Sequence, residues 1–211
     1  MKNASNTLMR LLEDWWDLAH DSSDRGAARL VALNQRIVRR YERTVAPFAH
    51  DMAGFTRLTM DRGIIHYLSM INRMTKLCAP LVKRAMGKVV KQEADNLFAY
   101  FPAVENAVRA ALSIQKALDE VSRTMADEFA LHTSIGIGYG PVLLIRGDMW
   151  GAEFNLVSKL AEDIAGRDEI LLTEAARSAL SGGKYGLQER AVVLGGMPVS
   201  AYQLIPNPVG Q

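Results

Sequence analysis

Lys88-Val-Val-Lys-Gln-Glu-Ala-Asp-Asn-Leu-Phe-Ala-Tyr-Phe101 decides the fold class of this chain. Lys88–Glu93 and Leu97–Phe101 each read as a short strand, rich in β-branched and aromatic residues. Only Ala94, Asp95 and Asn96 separate them, which is hairpin spacing, and turns favour Asp and Asn because their side chains bond nearby backbone. On the C-terminal side Pro102 opens a helix to about Val121, its inner face marked by Val104, Ala107, Val108, Ala111, Ile114 and Leu118. On the N-terminal side Ile64–Leu77 reads as a helix, with Pro80 starting or kinking the next turn. Thr44–His50 reads as a strand, and its Pro47 asks for an edge or a bulge. Beyond the long helix, Leu131–Ile137 and Pro141–Ile145 are strands and Ala152–Ile164 is helical. Ile170–Thr173 is a buried strand, Glu174–Leu180 a helix, and Gln188–Leu194 with Val199–Ile205 an antiparallel pair. The order β-α-β-β-α-β-β-α-β-α-β-β is that of an α+β sandwich with a hairpin inside its sheet.

Ahead of this body, Leu8, Leu11, Leu12, Trp15 and Ala19 recur at helical spacing over 5–19, with Ser5 or Asn6 as the cap. Asp21–Gly26 reads as a loop. Leu30, Val31, Asn34, Ile37, Val38 and Tyr41 share a face of a second helix, while Arg29, Arg36, Arg40 and Arg43 lie largely off it and read as a solvated face, with acidic partners or lipid as the other readings. Residues 1–43 are therefore expected to form a helical hairpin for regulation or dimer packing, 44–206 the main domain and 207–211 a tail. Two tryptophans in the hairpin imply that it packs on its own domain or on a second chain.

Composition removes several function classes. The 211 residues carry Lys+Arg 25 against Asp+Glu 23, a net charge of +2, which is no nucleic-acid signature. The single cysteine, Cys78, excludes an intramolecular disulfide and a cysteine-based zinc site. Glu13, Asp14 and Asp17 interrupt the first apolar stretch, against a secretory leader, and no run approaches the length of a transmembrane segment. A cytoplasmic protein is the expectation. The four histidines have no HExxH spacing, no GxSxG elbow occurs, and Gly136-Ile-Gly138-Tyr-Gly140 lacks the dinucleotide spacing and precedes a strand.

The chemistry-bearing feature is a pair of carboxylates. Asp51 ends the first strand and Asp95 sits in the hairpin turn. Carboxylates on neighbouring strand ends suit two Mg²⁺ ions that clamp the oxygens of a phosphoryl or nucleotidyl transfer. The segment Ala53–Thr56 would aim backbone N–H groups at phosphates. Taken alone the pair is ordinary, since turns favour Asp.

Position by position, these residues resemble the catalytic domain of class III nucleotidyl cyclases, from about Val45 to Ile205. Asp51-Met-Ala-Gly-Phe-Thr56 resembles the family's first metal motif, and Lys88–Phe101 its hairpin. Ile135-Gly-Ile-Gly-Tyr-Gly-Pro-Val142, Asp148-Met-Trp-Gly-Ala-Glu-Phe-Asn155 and the closing Ala191–Val199 resemble three further motifs, in the family's order. The resemblance implies a class III cyclase-like (ferredoxin-like) α/β sandwich behind the N-terminal hairpin. It implies that Asp51, Asp95 and the Met52 carbonyl bind two Mg²⁺ (or Mn²⁺) ions, and that Ala53, Gly54, Phe55 and Thr56 hold substrate phosphates. Lys91 and Asp148 match the pair that reads adenine, the ammonium donating to ring N1 and the carboxylate accepting from the exocyclic amine. Asn155 matches the ribose-orienting asparagine, and Lys159 stands where the family has a transition-state arginine. The implied reaction converts ATP to cyclic AMP and pyrophosphate in a homodimer with shared sites; a silent module, or use of GTP or a pyrimidine nucleotide, are the other outcomes.

The departures carry expectations too. Lysine at 159 keeps the charge but loses the bidentate fork. Ala94 replaces a glycine before Asp95, so a turn needing positive φ would be strained. Glu93 adds negative charge beside the metal site. The Gly140–Asp148 segment is shorter than the family's hairpin, which would shift Asp148 relative to the base.

Overall fold

The computed structural model describes residues 3–53, 60, 62–126, 129–145, 147–181 and 184–205, with the backbone alone for 3–8. Two helices lead, α1 (Asn3–Ala19) and α2 (Asp24–Tyr41). Ser23 caps α2 by accepting from the Gly26 N–H, so the connecting loop is shorter than the sequence suggests and Gly26 lies inside the helix. The face of α2 that packs on α1 carries Leu33 and Ile37, with Tyr41 half-buried. Val31 and Val38, expected on that face, are instead exposed.

The body follows as β1 (Glu42–Met52), α3 (Ile64–Arg84), β2 (Lys88–Glu93), β3 (Asn96–Phe101) and α4 (Val104–Ser122). Then come β4 (Thr133–Ile137), β5 (Gly140–Ile145), β6 (Asp148–Trp150) and α5 (Ala152–Lys159), the last running on as a π-turn, Leu160–Ile164. β7 (Glu169–Thr173), α6 (Glu174–Ala179), β8 (Gly186–Leu194) and β9 (Met197–Ile205) complete it. The sheet runs β2-β3-β1-β4-β7-β9-β8, with β5 on the first part of β1 and β6 on β5. Strand β6, which sequence patterning passes over, is three residues long and forms a hairpin with β5.

One face of the sheet buries Phe48, Phe101, Ile135 and Ile137 against Ile114, Leu118 and Val82 of α3 and α4. The other face buries Val45, Ala49, Val142 and Met149 against Phe154 and Val157 of α5. Alternation along β1 sends Phe48, His50 and Met52 one way and Ala49 and Asp51 the other. Gly136 and Gly138 have a packing role: a Cβ at Gly136 would come 2.3 Å from the Val157 carbonyl oxygen, and one at Gly138 2.5 Å from Val157 Cγ2. Helix α5 therefore rests directly on β4.

Two prolines stand where the sequence reading does not put them. Pro47 lies in a central strand, not at an edge or bulge. It falls where β1 changes partner, from β5 (Val45↔Gly140) to β4 (Phe48↔Ile137), and its carbonyl accepts from Gly138 N at 3.0 Å. No ladder bond needs a donor there. Pro80 sits inside α3, which continues to Arg84. Burial of Met74, Cys78 and Val82 on either side outweighs a local cost of about 3 kcal/mol.

Candidate active site

The register of β1 on β3 (His50↔Leu97) brings the end of β1 beside the two-residue turn between β2 and β3. Asp51 and Asp95 meet there. Burial first, then the negative charge of Asp95, push the Asp51 carboxyl up to about 7; the Met52 backbone N–H pulls the other way. Two part-buried carboxylates with uncompensated charge are a hard-oxygen donor set that fits Mg²⁺ or Mn²⁺. Magnesium takes one or two carboxylates and completes its shell with water and substrate phosphates. Among the described residues no three His, Cys, Asp or Glu side chains gather as a ready-made metal cluster.

The turn that carries Asp95 is strained as expected. Ala94 adopts φ +50°, a left-handed conformation costing a side-chain-bearing residue on the order of 1 kcal/mol. Its carbonyl accepts from Gln92 Nε2 at 3.2 Å, which holds the turn from within. Tyr67, buried on α3, joins this corner. Burial first, then the neighbouring Asp95 carboxylate, push the phenol's ionisation upward. Nothing in the sequence singles out Tyr67, because an aromatic on the apolar face of a helix reads as core. Glu162, in the π-turn, is also raised, by burial first, and feels the charges of Asp95 and Glu93.

Lys91 and Asp148 form a second group. Lys91 Nζ lies 3.1 Å from Asp148 Oδ1 and 5.4 Å from the centroid of the Phe98 ring. Both side chains are about a quarter exposed (25% and 29%), open enough to meet a ligand. The short hairpin delivers Asp148 to this contact: Ile145 pairs with Asp148 across a turn in which Gly147 takes φ +70°. Asp148 Oδ1 also accepts from the Met149 N–H at 2.8 Å, which fixes the carboxylate. Glu93, whose charge is expected beside the metals, is also paired with Lys91 at 2.9 Å. Residues two apart on a strand share a face, so that pairing was available in the sequence. The Glu93 hydrogen bond comes first, and then Asp148, in raising the Lys91 ammonium's pKa.

Asn155 and Lys159 form a third group, one turn apart on the outer side of α5. Phe154 and Val157 are buried beneath it, which leaves positions 155 and 159 exposed. Asn155 N–H donates to the Gly151 carbonyl at 3.0 Å. Lys159 Nζ lies 3.0 Å from Asp163 Oδ2 in the π-turn. Helix α5 is anchored at its start by Glu153, whose Oε1 accepts from Tyr139 N at 2.9 Å and from Thr173 Oγ1 at 2.5 Å. Sequence reading missed that anchor. Its signal, an acidic residue in the first helical turn, is too common to stand out.

Within one chain, then, Asp51 with Asp95, Lys91 with Asp148, and Asn155 with Lys159 are three groups. Among the described residues no hydrogen bond or ion pair joins one group to another. Met52 is buried in the sheet, and Ala53 follows it with its N–H on the His132 carbonyl at 3.1 Å. Gly54, Phe55 and Thr56 lie outside the described residues.

No family model matches the chain. Known proteins do. The body of the chain has the fold of the class III adenylate/guanylate cyclase catalytic domains, and curated proteins named adenylate cyclase are similar to it in sequence. The chain is similar to the adenylate/guanylate cyclase/hydrolase of Silicibacter pomeroyi, at 26% identity and a TM-score of 0.67, over 79% of this chain and 98% of that one. The guanylyl cyclase Cya2 shares the fold at a TM-score of 0.70 and 20% identity, over 80% and 95% of the two chains. An adenylate cyclase of Streptomyces coelicolor is 31% identical over 134 residues, 64% of this chain and 33% of its own length. A Rhizobium meliloti relative is 28% identical over 119 residues, 56% of this chain and 20% of its own. The chain thus spans between a fifth and a third of the length of these two curated relatives.

Proposed function

We propose that the chain is an adenylate cyclase that converts ATP to 3′,5′-cyclic AMP and pyrophosphate in a homodimer. One observation carries the base preference: Lys91 Nζ and Asp148 Oδ1 lie 3.1 Å apart on adjacent hairpins. A cation and a carboxylate side by side match adenine, whose N1 accepts and whose amine donates; guanine offers the reverse pattern. Phe98, beneath the ammonium, restricts where it can point.

Asp51, Asp95 and the Met52 carbonyl would hold two Mg²⁺ (or Mn²⁺) ions, which supply Lewis-acid stabilisation of the attacking and leaving oxygens. In the reaction the substrate's own 3′-OH attacks its α-phosphorus, the new P–O bond closes the ring, and pyrophosphate departs. Asn155 orients the ribose, which sets the hydroxyl in line. Lys159 swings from Asp163 to the phosphoryl oxygens as their charge grows. Positioning and charge supply nearly all the catalysis in such a transfer. A reaction that consumes ATP, in a chain whose one thiol is buried and unpaired, fits a reducing, cytoplasmic setting. Among the described residues no helix is long and apolar enough to cross a membrane.

The exposure of Asn155 and Lys159 on one side and the separate carboxylate corner support a site shared between two chains. Asp51 and Asp95 would come from one protomer, and Lys91, Asp148, Asn155 and Lys159 from its partner. Complementation tests this. Asp51→Ala and Asn155→Ala should each be inactive alone. Mixed in equal amounts and allowed to exchange, half of the dimers are mixed, and each of those holds one intact site of two. Activity near a quarter of wild type should return; no recovery despite proven exchange would overturn the shared site.

A second reading, a silent module of the same fold, draws on Lys159. Its ammonium is engaged by Asp163 and not by an open cleft. A wild-type chain that dimerises and binds ATP but yields no cyclic product would establish that reading instead.

A further inference from the structure

The hairpin of α1 and α2 has two apolar faces, and only one is used. Leu11, Trp15 and Leu18 pack on Leu33, Ile37 and Tyr41, and Trp15 Nε1 donates to Asn34 Oδ1 at 2.7 Å. Met9, Leu12 and Trp16 lie roughly 120° further round α1 at 100° per residue, and are 55%, 46% and 64% exposed. Val31 and Val38 lie roughly as far round α2 in the same rotational sense, at 56% and 43%. In antiparallel helices equal rotations of the same sense turn both stripes to one side of the hairpin. The result is a single apolar surface made of five large side chains.

The opposite side of the hairpin is where its charge is concentrated. Asp14, Asp17 and Asp21 line one groove with Arg29, Arg36 and Arg39. The arginines therefore face acids and do not flank the apolar surface, as a lipid-binding helix would require. The apolar side is left self-complementary and poor in charge. Its size also fits one occupant. Helices of 17 and 18 residues are each about 26 Å long and about 10 Å wide, so the face spans about 500 Å². Two such faces bury about 1,000 Å², the lower bound for a specific protein contact.

We infer that this surface docks on the same surface of a second copy of the chain, which closes a four-helix bundle about a twofold axis. Met9, Leu12 and Trp16 of each protomer are buried against α2 of its partner, with Val31 and Val38. Because α2 runs straight into β1, the bundle also fixes the two bodies relative to each other, whether or not they catalyse. Sedimentation of the full chain over a concentration series tests this. Leu12→Glu with Trp16→Glu should raise the dimer dissociation constant at least ten-fold while circular dichroism keeps the helical signal. Val31→Ser with Val38→Ser, a milder change that leaves α1 intact, should raise it several-fold and decides the matter if the first variant unfolds. An unchanged dissociation constant in folded variants would overturn the inference. So would a wild-type chain that stays monomeric and instead co-sediments with phosphatidylserine/phosphatidylcholine vesicles.

Discussion

Asp51→Asn should make the metal-free protein more stable at pH 8 and change little at pH 4. The Asp51 carboxyl is held at about 7 in the folded chain against an ordinary value of 3.8. A carboxyl raised on folding binds its proton more tightly in the native state. Its contribution is therefore intact below about pH 4 and is lost as pH rises through about 7. A displacement from 3.8 to about 7 corresponds to about 4 kcal/mol. Asp51 is only part-buried, so solvent screening brings the cost of ionising it to the order of 2 kcal/mol. Asparagine, nearly isosteric and always neutral, removes that cost. For a chain of this size the melting temperature at pH 8 in EDTA should rise by about 4–8 °C over wild type. Mn²⁺ should raise the melting temperature of wild type at pH 8 and have little effect on the variant. Thermal unfolding at the two pH values, with and without Mn²⁺, provides the four comparisons. If the variant melts lower than wild type at pH 8 by as much as it does at pH 4, Asp51 is a structural group and the reasoning fails.

Replacing Lys91 and Asp148 together should lower the preference for ATP over GTP by roughly ten- to a hundred-fold, because unsatisfied buried polar groups cost about 1–3 kcal/mol each; competition between the two nucleotides measures it, and unchanged discrimination places specificity elsewhere. Lys159→Ala should reduce kcat and leave KM nearly unchanged, since its contact strengthens only as charge develops. Steady-state kinetics of Lys159→Ala beside Asp163→Ala separates the two ends of that ion pair, and a harmless alanine at 159 makes Lys159 a solvated helix residue.

Elements with short-range signals were legible in the sequence. The β2–β3 hairpin is fixed by its spacing and its Asp turn, and α4 by an apolar face that repeats over about four turns. The central place of β1 was not, because Pro47 argues locally for an edge, while its tolerance depends on where β4 ends and β5 begins. The hairpin's face was misjudged at Val31 and Val38 for a related reason. Periodicity finds an apolar arc but not which half of it meets a neighbour. Among site residues, Asp51 and Asp95 stand out as carboxylates at a strand end and in a turn, the resemblance gives them a metal role, and their proximity follows from strand register. The Lys91–Asp148 contact joins residues 57 positions apart through two hairpins, which no local pattern encodes. Tyr67 and Glu153 were missed because each looks like ordinary packing or capping until the tertiary partner is known.

The central claim is that this chain makes cyclic AMP. The most direct measurement is to incubate the purified protein with Mn²⁺ and each of ATP, GTP, CTP and UTP, and to identify the products by mass spectrometry. The account predicts 3′,5′-cyclic AMP and pyrophosphate in equal amounts from ATP, with at least ten-fold less cyclic product from the other three. Cyclic GMP as the main product would contradict the reading of Lys91 and Asp148, and no cyclic product from any nucleotide would contradict the activity itself.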